Sequence, residues 1–159
     1  MNPLLASFLL LTLNAANAQS WPQQPVRMIV PAPAGSSLDI IVRTLGEKLK
    51  ERWKQPLIVE NKAGAGGMLG MDVVAKSKPD GYTVAASVKS TLTILAATRP
   101  DLPYKVTEFI PVANAVSDLG VITAKAGGRW KSLEELVADA KKNPGKLSYG
   151  SAGVGTVSF

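Results

Sequence analysis

Val26-Arg27-Met28-Ile29-Val30 runs into Pro31-Ala32-Pro33-Ala34-Gly35-Ser36-Ser37-Leu38-Asp39, and Leu57-Ile58-Val59-Glu60 runs into Asn61-Lys62-Ala63-Gly64-Ala65-Gly66-Gly67-Met68-Leu69-Gly70. Each stretch reads as an apolar strand, a loop of small residues and the start of a helix. Val26 to Val30 is nearly all apolar, the pattern of a strand covered on both faces. Helix N-termini carry unpaired backbone N–H groups, and the macrodipole favours negative charge beside them. The two units are therefore expected to aim bare backbone at a small anionic ligand.

Outward from these units the order of elements stays regular. Ser36 or Ser37 can cap the first helix, and Ser36-x-x-Asp39 fits a broad capping box. Leu38, Ile41, Val42, Leu45, Leu49 and Trp53 then form one apolar stripe at helical spacing. Met68 to Lys76 is expected to be a second helix with Leu69, Val73 and Val74 inward. Pro79-Asp80-Gly81 is a turn, and Tyr82 to Ser87 is strand three. Strands alternating with helices at this spacing indicate a parallel α/β sheet.

The later chain is less even. Lys89 to Ala97 is expected to be helical, and Arg99-Pro100-Asp101-Leu102-Pro103 breaks it. Phe109 to Val116 and Gly120 to Lys125 read as extended segments. Ser132-x-x-Glu135 is a second capping box, opening a helix to Lys142 with Leu133, Leu136, Val137 and Ala140 inward; Asn143-Pro144-Gly145 stops it. Lys146 to Tyr149 reads as a short strand, leading into Gly150-Ser151-Ala152-Gly153-Val154-Gly155-Thr156. The sequence ends at Phe159, soon after a loop that should open another helix. The expectation is a truncated product, with strand one and the 109–116 segment lacking their returning neighbours.

Composition narrows the class. Leu4 to Leu13 is an apolar run too short to span a bilayer comfortably. With Ala16-Asn17-Ala18 after it, residues 1–18 read as a signal peptide, although the region before the run has no Lys or Arg. No later stretch is long and apolar enough for a membrane span. There are no cysteines, hence no disulfides and no thiolate chemistry. The net charge is +6, but the basic residues are dispersed and not interleaved with aromatics. Lys48, Lys50, Arg52 and Lys54 sit with Glu47 and Glu51 on one amphipathic helix, a solvated face. This gives a mild positive field favouring anionic solutes; nucleic acid is not an expected partner.

The residues for catalysis are sparse. The chain has no histidine, which removes Ser-His-Asp and Cys-His catalysis and His-based metal sites. Ser87-x-Lys89-Ser90 has the residue types for Ser-Lys chemistry, but at a strand end it reads as a loop. Gly64-Ala65-Gly66-Gly67-Met68-Leu69-Gly70 misses G-x-G-x-x-G by one position, and no P-loop Gly-Lys-Ser or Gly-Lys-Thr occurs. No catalytic residue, metal or cofactor is expected. Gly81 and Gly128 read as turn residues, and Trp21, Trp53 and Trp130 as packing. Gly64, Gly66 and Gly67 serve either tight helix packing or the site. Gly35 is favoured for close ligand approach, because open α/β sheets bind ligands at the carboxyl ends of their strands.

Several blocks together resemble the receptors of tripartite tricarboxylate transporters, the Bug family (Bordetella uptake receptors). They are VRMIVPAPAGSSLDI (26–40), VENKAGAGG-x-x-G (59–70), AKSKPDGYT (75–83), FIPVA (109–113) and KSLEELVADAKKNPGKLSYGSAGVGT (131–156). The resemblance covers residue 21 to the end. It implies an α/β, periplasmic-binding-protein-like (Venus flytrap) fold, with 19–116 as most of an N-terminal domain and 117–159 as the crossover and truncated start of a second. It implies a periplasmic receptor, monomeric when complete and not an enzyme, that captures a small carboxylate-bearing solute for a membrane permease. Carried over by position, the ligand would meet Ala34, Gly35, Ser36, Ser37, Leu38 and Asp39, then Ser87, Val88, Ser90 and Thr91. From the opposite domain it would meet Ser151, Ala152, Gly153, Gly155 and Thr156. Here Ala34-Gly35-Ser36 replaces the family's usual Pro-Gly-Gly. Leu38 stands where a hydroxyl residue is usual, and Val154 where Asn is common, so the pocket is more apolar. The alternative expectation is a truncated or degenerate remnant that holds no ligand.

Overall fold

Strand β1 (Val26–Val30) lies between two parallel neighbours, β2 (Leu57–Asn61) and β3 (Thr83–Ala85), giving the order β2-β1-β3. The computed structural model describes residues 21–117, 120–151 and 156. Val26, Ile29 and Val30 are fully buried, as the apolar run requires. Val26 pairs with Leu57 and Arg27 with Thr83. At the carboxyl end of β1, the Lys62 N–H donates to Val30 O (2.8 Å) and the Ala86 N–H to Ile29 O (2.9 Å). Strand one therefore has neighbours on both sides, which corrects the expectation that it lacks one. The open edges belong to β2 and β3.

Helix α1 (Ser37–Trp53) carries the chain from β1 to β2, and α2 (Met68–Ala75) carries it from β2 over to β3. The two crossovers run in opposite directions across the sheet. Right-handed connections then place α1 and α2 on opposite faces, which is why Ile29 on one face of β1 and Val26 and Val30 on the other are all dry. Along α1, Val42 and Gly46 are buried and Leu38, Ile41, Leu49 and Trp53 are half-buried, so the stripe holds; Leu45 lies on its rim. A Cβ on Gly46 would stand 3.2 Å from Leu57 Cδ2, so a small residue lets the helix lie close on β2.

The buried face of α2 differs from the expected one. Gly70 and Met71 are buried, whereas Leu69 is half exposed. The cause is backbone approach: a Cβ on Gly70 would fall 2.7 Å from Pro31 Cβ and 2.9 Å from Pro31 Cα. The helix presses its smallest residue onto the segment leaving β1, and that contact fixes its rotation. At the turn before β3, Asp80 accepts the Tyr82 N–H (3.0 Å) and Gly81 takes φ +81°, as that turn requires.

Beyond β3 the chain forms a 3₁₀ turn (Lys89–Thr91) and a short helix α3 (Ile94–Thr98) in place of one continuous helix. A further 3₁₀ turn spans Val106–Glu108. The segments 109–116, 120–125 and 146–149 form no strand. Extended chain becomes a strand only with a ladder partner, and here Ile110 and Val112 are 88% and 90% exposed. Helix α4 (Leu133–Lys142) starts as expected, with Ser132 Oγ accepting the Glu135 N–H (3.3 Å). Its apolar stripe is uncovered: Leu133, Val137 and Ala140 are exposed and only Leu136 is half-buried. Trp130 is held locally, donating Nε1–H to Asp139 (2.9 Å) beneath the Arg129 guanidinium. Trp21 packs edge-on against Trp53 with ring centroids 5.0 Å apart. Among the described residues no helix is long and apolar enough to cross a membrane.

Two substitutions test this packing. Lys54 ends α1 in the left-handed conformation (φ 56°), donating its N–H to Lys50 O. Lys54→Gly should relieve the Cβ clash and raise stability by about 1 kcal/mol in thermal or urea unfolding. Gly70→Ala should cost about 1–3 kcal/mol, because its neighbours are the Pro31 ring and backbone and the Lys62 carbonyl, none of which can turn aside.

Candidate functional site: the carboxyl rim of the sheet

In a 2-1-3 sheet the loops after β1 and β3 diverge to opposite faces, leaving a crevice between them at the carboxyl ends. Both stretches picked out in the sequence, Ala34 to Asp39 and Ser87 to Thr91, lie at this rim. A third loop joins them through Gly67 (φ +98°): a Cβ there would meet Thr91 Cγ2 at 2.6 Å and Pro31 Cβ at 3.4 Å. Gly67 lets the loops after β1, β2 and β3 close on one another. Its part is packing at the base of the site, one of the two roles the glycine run allowed.

The first loop is organised from within. Gly35 takes φ +78° and donates its N–H to Asp39 Oδ2 (2.8 Å). Ser36 is the cap of α1: its N–H donates to Pro33 O (3.2 Å) and its Oγ accepts the Asp39 N–H (3.3 Å). The Ser37 and Leu38 N–H groups, in the first turn, have no acceptor among the described residues. Ala34 and Ser37 are exposed, and Ser36 and Leu38 half-buried.

Asp39 is buried, 3% exposed. Its carboxylate accepts Arg43 Nε–H (3.0 and 3.1 Å) and Asn61 Nδ2–H (3.0 Å) besides Gly35. Asn61 also donates to Ala32 O (3.2 Å) and accepts Arg43 Nη2–H (3.1 Å). The Arg43 hydrogen bond first, then those from Gly35 and Asn61, holds the Asp39 carboxyl at about 2. Arg43 and Asn61 went unnoticed in the sequence. The Asp39–Arg43 spacing of one helical turn was the available signal; nothing local pointed to Asn61.

The second loop turns its hydroxyls inward. Thr91 Oγ1 donates to Val88 O (2.7 Å) and is in short contact with Ser87 Oγ. Tyr104 donates its OH to Thr91 O (2.9 Å), and burial raises the pKa of that phenol. Ser90 and Thr91 are buried, and Ser90 Oγ has no partner among the described residues. Val88 and Lys89 are the exposed members. The third set is only partly visible: Ser151 is exposed and Thr156 half-buried, while Ala152, Gly153 and Gly155 lie outside the described residues. Among the described residues no three His, Cys, Asp or Glu side chains are grouped to hold a metal. The rim thus offers backbone donors beside a neutralised Asp39–Arg43 pair, an arrangement suited to holding an anion.

A 2-1-3 parallel sheet with its loops gathered at the switch point is the architecture of the periplasmic-binding-protein-like α/β fold. Residues 41–159 match the profile of the tripartite tricarboxylate transporter family receptor, and the chain belongs to that family. It is 37% identical over 142 residues to Protein BugT of Bordetella pertussis, covering 88% of this chain and 44% of that protein. It is also 37% identical over 153 residues to the UPF0065 protein in the tcbD-tcbE intergenic region of Pseudomonas sp. strain P51, covering 93% and 45%. The solved periplasmic binding protein BugD superposes with a TM-score of 0.66 at 28% identity, covering 86% and 46%. MatC from Rhodopseudomonas palustris, solved with bound malate, gives 0.63 at 28% identity, covering 76% and 42%. The chain thus spans somewhat under half the length of these relatives.

The Asp39 network predicts a definite acid response. Its folded pKa, about 2, lies below the ordinary value of ~3.9. Its stabilisation is therefore fully present above about pH 4 and is lost as pH falls through about 2. Glu60, lowered by Arg27, and Asp101, lowered by Arg99, add slope of the same sign. The melting temperature of Asp39→Asn should fall below the parent's near neutrality, and the gap should close toward pH 2.

Proposed function

We propose that the chain supplies one lobe, 19–116, and the start of the other, 117–159, of an exported receptor that captures a small carboxylate. The observation that carries this is the pair of unengaged N–H groups, Ser37 and Leu38, at the end of α1 beside the switch point. A ligand carboxylate placed there would take both donors and the favourable end of the helix dipole. Gly35 and Asp39 would shape the loop from behind. Val88 would face the ligand with the backbone of the β3 loop, while Ser87, Ser90 and Thr91 hold that loop in place. Ser151 to Thr156 would supply the opposite lip. Malate bound to MatC supports the carboxylate class, and family membership supports delivery to a membrane permease from the periplasm. The first 18 residues, read as an export signal, fall outside the described structure.

Charge-assisted N–H bonds contribute about 1.5–3 kcal/mol each. One lobe should therefore bind malate weakly, in the millimolar range, about −4 kcal/mol. In amide NMR spectra, malate is expected to shift Ser37 and Leu38, and its uncharged diamide to leave them in place. Ser37→Pro is a sharp probe. Proline fits the first helical position, and Ser36 already has the extended backbone (ψ 162°) that must precede it. The helix should survive and affinity should fall at least about tenfold. A second reading, a lobe that no longer binds, draws support from the uncovered segment at Ile110 and Val112. No response to either ligand would favour it, and equal responses to malate and diamide would overturn carboxylate capture.

A further inference from the structure

The rim depends on two side chains that lie outside it. We propose that Arg43 and Asn61 are positioning residues: gripping the buried Asp39 carboxylate from α1 and from the end of β2, they fix the Gly35–Leu38 backbone and let it accept a second anion. This rests on the carboxylate-capture reading above, and adds what sets the geometry and charge of the capturing loop.

Asp39 stands in the first turn of α1, so its charge lies where a ligand carboxylate must approach. Left unpaired, a buried carboxylate would be costly and would repel that ligand. Arg43 cancels the charge, placing Nε–H 3.0 and 3.1 Å from the two oxygens. Asn61 then closes the ring: its oxygen orients the Arg43 Nη2, and its Nδ2–H reaches both Asp39 Oδ1 and Ala32 O. The loop, α1 and β2 are tied at one point.

An exposed ion pair one helical turn apart is ordinarily worth little. This one differs on two counts. The Asp39 side chain is only 4% exposed although Arg43 is 52% exposed. A third residue, from another element, also completes the ring. Substitutes cannot reproduce that geometry: lysine is a point charge without the fork, and aspartate at 61 has no donors and adds a repelling charge.

The test follows the Gly35 amide proton and the Asp39 carboxyl carbon by NMR on the whole chain, from about pH 6 to about pH 1.5. The two should titrate together at about 2 in the parent. In Arg43→Lys and in Asn61→Asp the midpoint should climb toward ~3.9; Lys48→Gln, on the solvated face, should leave it in place. Arg43→Lys, at an exposed position, keeps the question decidable should Asn61→Asp fail to fold. A Gly35 amide that ignores the Asp39 titration, or one midpoint shared by parent and variants, would overturn the proposal. Malate addresses the rim separately. Silence at Ser37 and Leu38 in the parent sinks carboxylate capture, while the titration still judges Arg43 and Asn61. Where malate does shift them, Arg43→Lys should respond about tenfold more weakly, and an unchanged response counts against the positioning role.

Discussion

An ionised carboxylate with 3% exposure must find its bonds inside the protein, and Asp39 imposes that demand on everything around it. The Gly35 amide turns inward to meet it, which bends the loop after β1. Arg43 must lie one turn on along α1, and Asn61 must end β2 within reach. One buried charge thereby sets the relation of two strands and a helix at the edge where the ligand is expected.

Close backbone approach supplies the complementary constraint. Pro31, where the chain leaves β1, is met from one side by Gly67 and Gly70, and Gly67 is met in turn by Thr91. An added methyl would force movement where Gly70 meets Pro31 and where Gly67 meets Thr91. Three loops are drawn into a single rim by the absence of side chains, while Tyr104 braces the last of them through Thr91 O. Charge organises one half of the rim and missing volume the other.

Much of this was legible. The apolar strand one, the Ser36 and Ser132 caps, the stripe on α1, the Pro79-Asp80-Gly81 turn and the parallel order all follow from local chemistry, and so they read directly from sequence. What was not legible is set by distant contacts. The rotation of α2 depends on Pro31, so Leu69 looked buried and the packing role of Gly70 was not visible. Asp39 read correctly as helix-terminal, but its partner Asn61 lies on another strand, and no local pattern links them. The segments near Ile110 and Ile122 carry strand composition without a strand's neighbour. At the rim, Ser87 and Thr91 have ligand-like side chains, yet their hydroxyls serve the loop itself.

The placing of β1 in the middle also governs the order in which the lobe can be assembled. A strand at the centre of a 2-1-3 sheet is made first but completed last, since its second neighbour arrives only with Thr83–Ala85. Until then, the most apolar segment of the rim-forming half has one side open. Such non-local pairing is slow to form, because each ladder must wait for a long loop to close. During that delay the strand most prone to premature pairing lacks the partners that would trap it.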